Sequence, residues 1–272
     1  MRSLGGLLPD GERLVVDPYG ERFVWPWARR TREAAARSPF ARRALFALRP
    51  LRWNIHSLAL RTRALDDAVR AFHAAGGRQV MLLGAGFDCR AARLGLEGIR
   101  FFEVDHPATQ AEKRRVMGDP ENVRYLAWNF ETDAMTELGA RLAGLGHDAA
   151  IPTLTLWEGV TMYLHAPAID ASVRAVRSLS SPGSVLAFNY IEKSRIEGRM
   201  GALRSEQLVV GAVGEPFRFG FDPKTLGAWL ADRGYRLESD RGYDELARAW
   251  LPPPWATRAR ADRRIAIAAV SG

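Results

Sequence analysis

The sequence predicts an α/β fold: a doubly wound, Rossmann-like sheet, mostly parallel, with helices on both faces and a helical cap at the N-terminus. Three observations carry this. From Gln79 onward short apolar runs alternate with helical stretches, the pattern of a parallel sheet covered on both sides. The first apolar run ends in a glycine-rich turn. The chain finishes on two further strand-like runs, which read as an antiparallel closing pair.

Residues 1–20 read as loop, punctuated by Pro9, Gly11, Pro18 and Gly20. Residues 28–75 read as helices broken at Pro39 and Pro50. The last of these, over Ser57–Ala75, brings Leu58, Leu65, Val69 and Phe72 near one face. Residues 1–75 are therefore expected to form a cap or lid, and 76–272 the sheet domain, with 192–221 inserted as further cap. The strand-like runs are Val80–Leu83, Phe101–Val104, Val123–Trp128, Leu154–Trp157 and Val185–Tyr190. Helical stretches follow at about 88–96, 107–117, 133–144 and 167–180, where Pro107 and Pro167 suit a first helical turn. Pro223–Asp232 reads as another helix. Tyr235–Ser239 and Arg264–Val270 read as strands joined by a polar, proline-containing connection.

Composition bounds the function. A chain of 272 residues, 47% hydrophobic, can bury a sizeable core. Apolar runs such as Ile265–Val270 fall far short of the roughly 20 residues a bilayer crossing takes. Met1–Asp10 carries no leader-like stretch, so no membrane and a cytoplasmic location are expected. Cys89 is the only cysteine, and the five histidines (56, 73, 106, 147, 165) form no HxxxH or HExxH pair. No disulfide is possible, and no metal is expected. The net charge is +8, yet only Lys113, Lys193 and Lys224 are lysines. An arginine and alanine bias of this kind follows from GC-rich coding, independent of function. Residues 22–63 hold eleven arginines against Glu33 alone, interleaved with aromatic residues. Three readings stand, in descending order: amphipathic helices with solvated arginines, a basic cap over an acidic substrate, and a nucleic-acid surface.

The strongest local signal is Val80-Met81-Leu82-Leu83-Gly84-Ala85-Gly86-Phe87-Asp88. An apolar strand runs into G-x-G and then a helix. Glycine lets the backbone turn sharply and approach a ligand. Asp105 ends the second strand, 19 residues past Gly86. An acid at about that distance accepts hydrogen bonds from ribose hydroxyls in doubly wound folds; the alternative is a helix N-cap. Glu103, on the other face of the strand, is expected to have a structural partner. A dinucleotide site wants a third glycine, and Cys89 stands there instead. Asp88 at the helix mouth would repel a pyrophosphate but suits a ligand carrying an ammonium and a sulfonium, which favours S-adenosylmethionine over NAD. Asp88 equally reads as an N-cap.

Several motifs now resemble one family, the leucine carboxyl methyltransferases and their bacterial polyketide O-methyltransferase relatives. They are Asp17-Pro18-Tyr19; Arg61-Thr62-Arg63 with Asp66-Asp67; Leu83 to Arg90; Phe102 to Asp105; Lys113-Arg114-Arg115; Trp157-Glu158-Gly159-Val160-Thr161-Met162-Tyr163-Leu164; and Phe188-Asn189-Tyr190. The resemblance implies a class I methyltransferase sheet with S-adenosylmethionine as cofactor and S-adenosylhomocysteine as product. It implies that Arg61 binds the carboxylate of the methionine part. Gly84, Ala85 and Gly86 would line that part and Asp105 the ribose. Glu158 would sit under the cofactor near the acceptor, or act as an acid paired with an arginine. Tyr163 would shape the acceptor pocket or simply pack. Where the family usually has an aspartate for the adenine amino group, this chain has Asn129, followed by Phe130. Asn129 keeps an acceptor oxygen, though an uncharged one.

An ionised carboxylate acceptor needs no general base; a hydroxyl acceptor does. His165 is the best-placed histidine, and it also reads as a loop residue. The missing base tilts the expectation toward a small-molecule carboxylate or acidic phenol, held by the arginine-rich cap, with Arg199 in Gly198-Arg199-Met200-Gly201 as a candidate anion partner. An RNA methyltransferase and a non-catalytic cofactor-binding protein remain as alternatives.

Overall fold

The computed structural model describes residues 2–197 and 217–271. The short helix α1 (Arg2–Gly5) opens the chain, and α2 (Pro26–Arg37), α3 (Pro39–Ala47) and α4 (Arg49–Ala74) follow. Pro26, Pro39 and Pro50 each lie in a first turn, where a missing N–H costs nothing. The prolines therefore start these helices, and Ser38 Oγ caps α3 by accepting from Ala41 N at 3.2 Å. Part of the segment expected as loop is helical: α1 and the 3-10 turns Asp10–Glu12 and Gly20–Phe23. Single turns carry too little periodicity to be read from sequence.

The sheet is built from β1 (Gln79–Leu83), α5 (Arg90–Arg93), β2 (Arg100–Asp105), α6 (Pro107–Met117), β3 (Val123–Ala127), α7 (Leu138–Gly144), β4 (Thr153–Trp157), α8 (Ala166–Ser178), β5 (Val185–Ile191), α9 (Lys193–Glu197), the helix Pro223–Ala231, β6 (Tyr235–Gly242), the helix Tyr243–Trp250 and β7 (Arg263–Val270). The strand order is β3-β2-β1-β4-β5-β7-β6. β1 to β5 are parallel, and β7 runs antiparallel to both β5 and β6. Two expectations are corrected. The helix expected at 88–96 is the single turn α5, cut short by Leu94-Gly95. The connection expected between the last two strands contains the helix Tyr243–Trp250. Tyr243, Leu246 and Ala247 bury its inner face, and Glu245 reaches back to accept from Gly242 N at 3.1 Å.

Period-two alternation sends β1 to both faces. Met81 and Leu83 join a core with Leu138 and Leu142 of α7, Val173 of α8 and Leu230. Val80 and Leu82 join the opposite core with Leu65, Val69 and Phe72 of α4 and Leu246. The boundary drawn at 75/76 falls in the turn after α4, and α4 itself packs on the sheet. No helix of the described residues is long and apolar enough to cross a membrane.

Glu103 has the partner its position calls for: Lys113 Nζ of α6 pairs with its carboxylate, and both side chains are buried. Burial pushes the Glu103 carboxyl up to about 7 against the pull of Lys113. A carboxyl raised above its unfolded value stabilises the fold at low pH, and that contribution fades as pH rises through about 7. Lys113→Met leaves the acid buried alone, at a cost of about 3–5 kcal/mol when ionised. Thermal melts should therefore show a larger loss at pH 8 than at pH 5; an equal loss at both would contradict the pairing.

Candidate active site

β1 lies between β2 and β4, so the connections leaving β1 and β4 diverge to opposite sides. A crevice opens there, at the carboxyl ends of the strands, where such sheets bind ligands. It holds a cleft of about 620 Å³, lined by the 84–88 loop, Glu158–Val160, Arg61 of α4 and Tyr163, with Asp17, Phe23, Phe217 and Arg263 at its edges.

The loop takes its shape from two left-handed residues, Gly84 with φ 65° and Gly86 with φ 49°. A Cβ on Gly84 would lie 2.5 Å from Val160 Cγ2, whereas one on Gly86 meets nothing nearer than Asp105 Oδ2 at 4.0 Å. The backbone is thus packed tightly on one side and open on the other, a cradle for a ligand approaching residue 86. Gly84→Ala should destabilise the fold by about 1–3 kcal/mol, from a left-handed alanine plus the clash. Adding Val160→Ala should restore only the clash component. Full restoration would show that φ at 84 is unimportant.

Asp105 closes the loop from the end of β2. Its Oδ2 accepts from Gly86 N, and its Oδ1 accepts from His106 N at 2.6 Å. Beneath the loop lies a buried ionic network that sequence reasoning missed. Arg90 is 1% exposed and touches three acids. Its Nε donates to Asp66 Oδ1 at 2.8 Å, Nη1 to Asp88 Oδ2, and Nη2 meets Glu158 Oε2 at 2.6 Å. Burial works against its charge, but Asp88, Glu158 and Asp66 together hold the guanidinium protonated, above its ordinary range. Arg93 adds two hydrogen bonds to Asp66, at 2.6 and 2.8 Å. Arg61 Nε donates to Glu158 Oε1 at 2.7 Å, with its guanidinium over Gly159.

The network changes the roles expected of two residues. Asp88 is not the N-cap of α5, a position Cys89 holds; its Oδ1 accepts from Arg90 N at 2.7 Å, and its other oxygen faces the Arg90 guanidinium. Its charge is engaged within the protein, so the argument from Asp88 against a pyrophosphate loses its force. Glu158 sits against two arginines, as the paired-acid alternative has it, and does not offer the free carboxylate a general base requires. The only trace of Arg90 in the sequence is its place after Phe87-Asp88-Cys89; nothing in the string marks it as buried.

Tyr163 ends the 3-10 turn Thr161–Tyr163 at the cleft wall, its ring 5.6 Å from that of Phe217. Asn189 anchors the same loop: its Oδ1 accepts from Gly159 N at 2.6 Å, and its carbonyl accepts from Thr161 Oγ1 at 3.0 Å. Asn129 and Phe130 follow β3, just beyond the Asp105–Ala127 pair of the β2–β3 ladder, and none of Asp105, Asn129 and Phe130 lines the cleft. Asn129 Oδ1 accepts from Glu131 N at 2.9 Å, so its acceptor serves a local turn, and Phe130 packs on the core. His165 stands at the start of α8 without a side-chain capping bond and accepts from Arg218 Nη1 at 2.9 Å, away from the cleft lining. Gly198–Gly201, with Arg199, lie outside the described residues, as does most of the 192–221 insertion.

A leucine carboxyl methyltransferase family profile matches residues 4–177. The chain belongs to that family. Members similar to it include a protein of Mycobacterium sp. strain KMS, 32% identical over 263 residues, which cover 93% of this chain and 85% of the relative. Another is from Streptomyces coelicolor, 37% identical over 143 residues, covering 52% of this chain and 50% of the relative. Both are named as candidate S-adenosyl-L-methionine-dependent methyltransferases. The chain spans only 50–63% of the length of its Streptomyces relatives. The crystal structure of a candidate methyltransferase from Thermobifida fusca shares the fold, with a TM-score of 0.57 at 16% identity, covering 80% of this chain and 83% of the other. The relatives' names make S-adenosyl-L-methionine the family's cofactor, and the sheet is that of the class I methyltransferases.

Proposed function

We propose that this chain is an S-adenosylmethionine-dependent O-methyltransferase acting on a small anionic acceptor, most directly a carboxylate. The observation that carries the reading is the open cradle at Gly86, closed by Asp105 at the carboxyl end of β2. The residues fit the cofactor. Backbone N–H groups at 84–86 and Arg61 would hold its methionine part, and Asp105 would accept from its ribose. Asn129 would serve the adenine with the second lone pair of Oδ1, the first being taken by Glu131 N. Bound there, the cofactor supplies an electrophilic methyl group.

The chain's own contribution is placement and exclusion of water. Glu158 holds Arg61 over Gly159 at the cleft floor, while Phe23, stacked on Phe87 at 4.6 Å, and Tyr163 wall the cleft. No histidine lines the cleft among the described residues. This favours an acceptor already ionised at neutral pH, which needs no proton removed. The lining holds Arg61 and Arg263 against Asp17, Asp88 and Glu158, so an anion would be met by an individual guanidinium and not by a net positive field.

The test is a methyl-labelled transfer assay over a panel of carboxylic acids and phenols. The expected product releases methanol in mild alkali. An alkali-stable product would remove the carboxylate reading. Calorimetry showing NAD binding but no S-adenosylhomocysteine binding would remove the methyl-transfer reading altogether.

A further inference from the structure

A second concavity lies away from the cleft, in the N-terminal region. It is also about 620 Å³, between the segment 7–13, α3 and Arg52 of α4. A volume of this size suits a small organic ligand. Its floor is apolar, formed by Leu7, Leu8 and Phe46, of which Leu8 and Phe46 are buried. Its rim carries four arginines, Arg13, Arg42, Arg43 and Arg52, against the single acid Asp10.

The arginines are of two kinds. Arg52 is fixed: it pairs with buried Glu12 and stacks 4.7 Å over Trp255. Arg13 is fixed as well, with Asp10 at 2.9 Å and the Leu8 carbonyl at 3.1 Å. Arg42 and Arg43 are exposed and meet no acid among the described residues. Two uncompensated guanidiniums above an apolar floor complement a molecule with the opposite polarity at its head and a hydrocarbon or aromatic body.

The groove is separate from the cofactor cleft. The two share no lining residue, and two residues of the groove's lining, Leu8 and Phe46, belong to a small buried cluster with Ile55. The small void against Ile55, Leu58 and Asp17 is about 10 Å³, too small to hold a ligand. Arg52 and Arg61 lie nine residues apart on α4, or about 13 Å at 1.5 Å per residue.

We propose that this groove is a second binding site, for a small amphiphile with an anionic head, carboxylate or phosphate, and an apolar body. The experiment is calorimetric titration of the full chain with octyl phosphate, octanoate and octan-1-ol, each below micelle formation. Expected is a single saturable site at which at least one anion binds tenfold or more tighter than the alcohol; the stronger anion identifies the head group. Arg42→Gln with Arg43→Gln should weaken it at least tenfold. Ala47→Glu, which sets an acid on the exposed lip, should abolish it. S-adenosylhomocysteine affinity should not change in either variant. Absence of saturable anion binding, equal affinity for the alcohol, or indifference to these substitutions would overturn the proposal. Competition with S-adenosylhomocysteine would also overturn it, by moving the ligand to the other cleft.

Discussion

Asp105→Ala is expected to lower S-adenosylhomocysteine affinity by about 100-fold, roughly 3 kcal/mol, because hydrogen bonds to a charged acceptor contribute about 1.5–3 kcal/mol each. Asp105 has two functions that the substitution removes together. It would accept from the ribose, and it holds Gly86 N in the turn that forms the cradle. Asp105 is only half-buried, so the fold should lose no more than about 1–2 kcal/mol for the orphaned N–H. Calorimetry and a thermal melt on the same sample separate these effects. Asp105→Asn retains an acceptor oxygen without the charge and should fall between wild type and alanine. Near-native affinity in Asp105→Ala would mean that the ligand does not contact the end of β2.

Arg90→Met is expected to destabilise the fold by about 3–5 kcal/mol, the usual effect of breaking a buried ionic cluster from one side. For a chain of this size the melting temperature would drop on the order of 10 °C. Arg90 links three parts of the molecule: Asp66 on α4, Asp88 in the glycine loop and Glu158 after β4. Removing it crowds three carboxylates in a space with little water, and Arg61 and Arg93 then have to balance them. Arg90→Lys keeps the charge but cannot span three acids with one planar fork, so it should recover only part of the loss. A melt of Arg90→Met within about 1 kcal/mol of wild type would show that the cluster tolerates its own charge, against the usual cost of an unpaired buried ion.

Much of the fold was legible because its signals are local. The runs of β1, β2, β4 and β5 are short and mostly apolar, each large helix has a proline or a polar break at its start, and Gly84 and Gly86 mark a turn whose φ values need glycine. The helix Tyr243–Trp250 was missed because its surroundings are polar and proline-rich, although Tyr243, Leu246, Ala247 and Trp250 keep helical spacing. Glu103 was assigned a structural role from strand parity alone, and Lys113 met it from the next helix.

The candidate site divides the same way. The string itself determined the parallel sheet, the glycine turn, the acid 19 residues on and the basic N-terminal stretch, because each depends on neighbours in sequence or on residue type. Only the tertiary structure decided that Arg90 joins Asp66, Asp88 and Glu158, that Asp88 is engaged by that arginine, and that Asn129 turns its oxygen to Glu131 N. Those outcomes depend on which charges folding forces into a shared low-dielectric space, where an ion must find a partner whatever its distance along the chain.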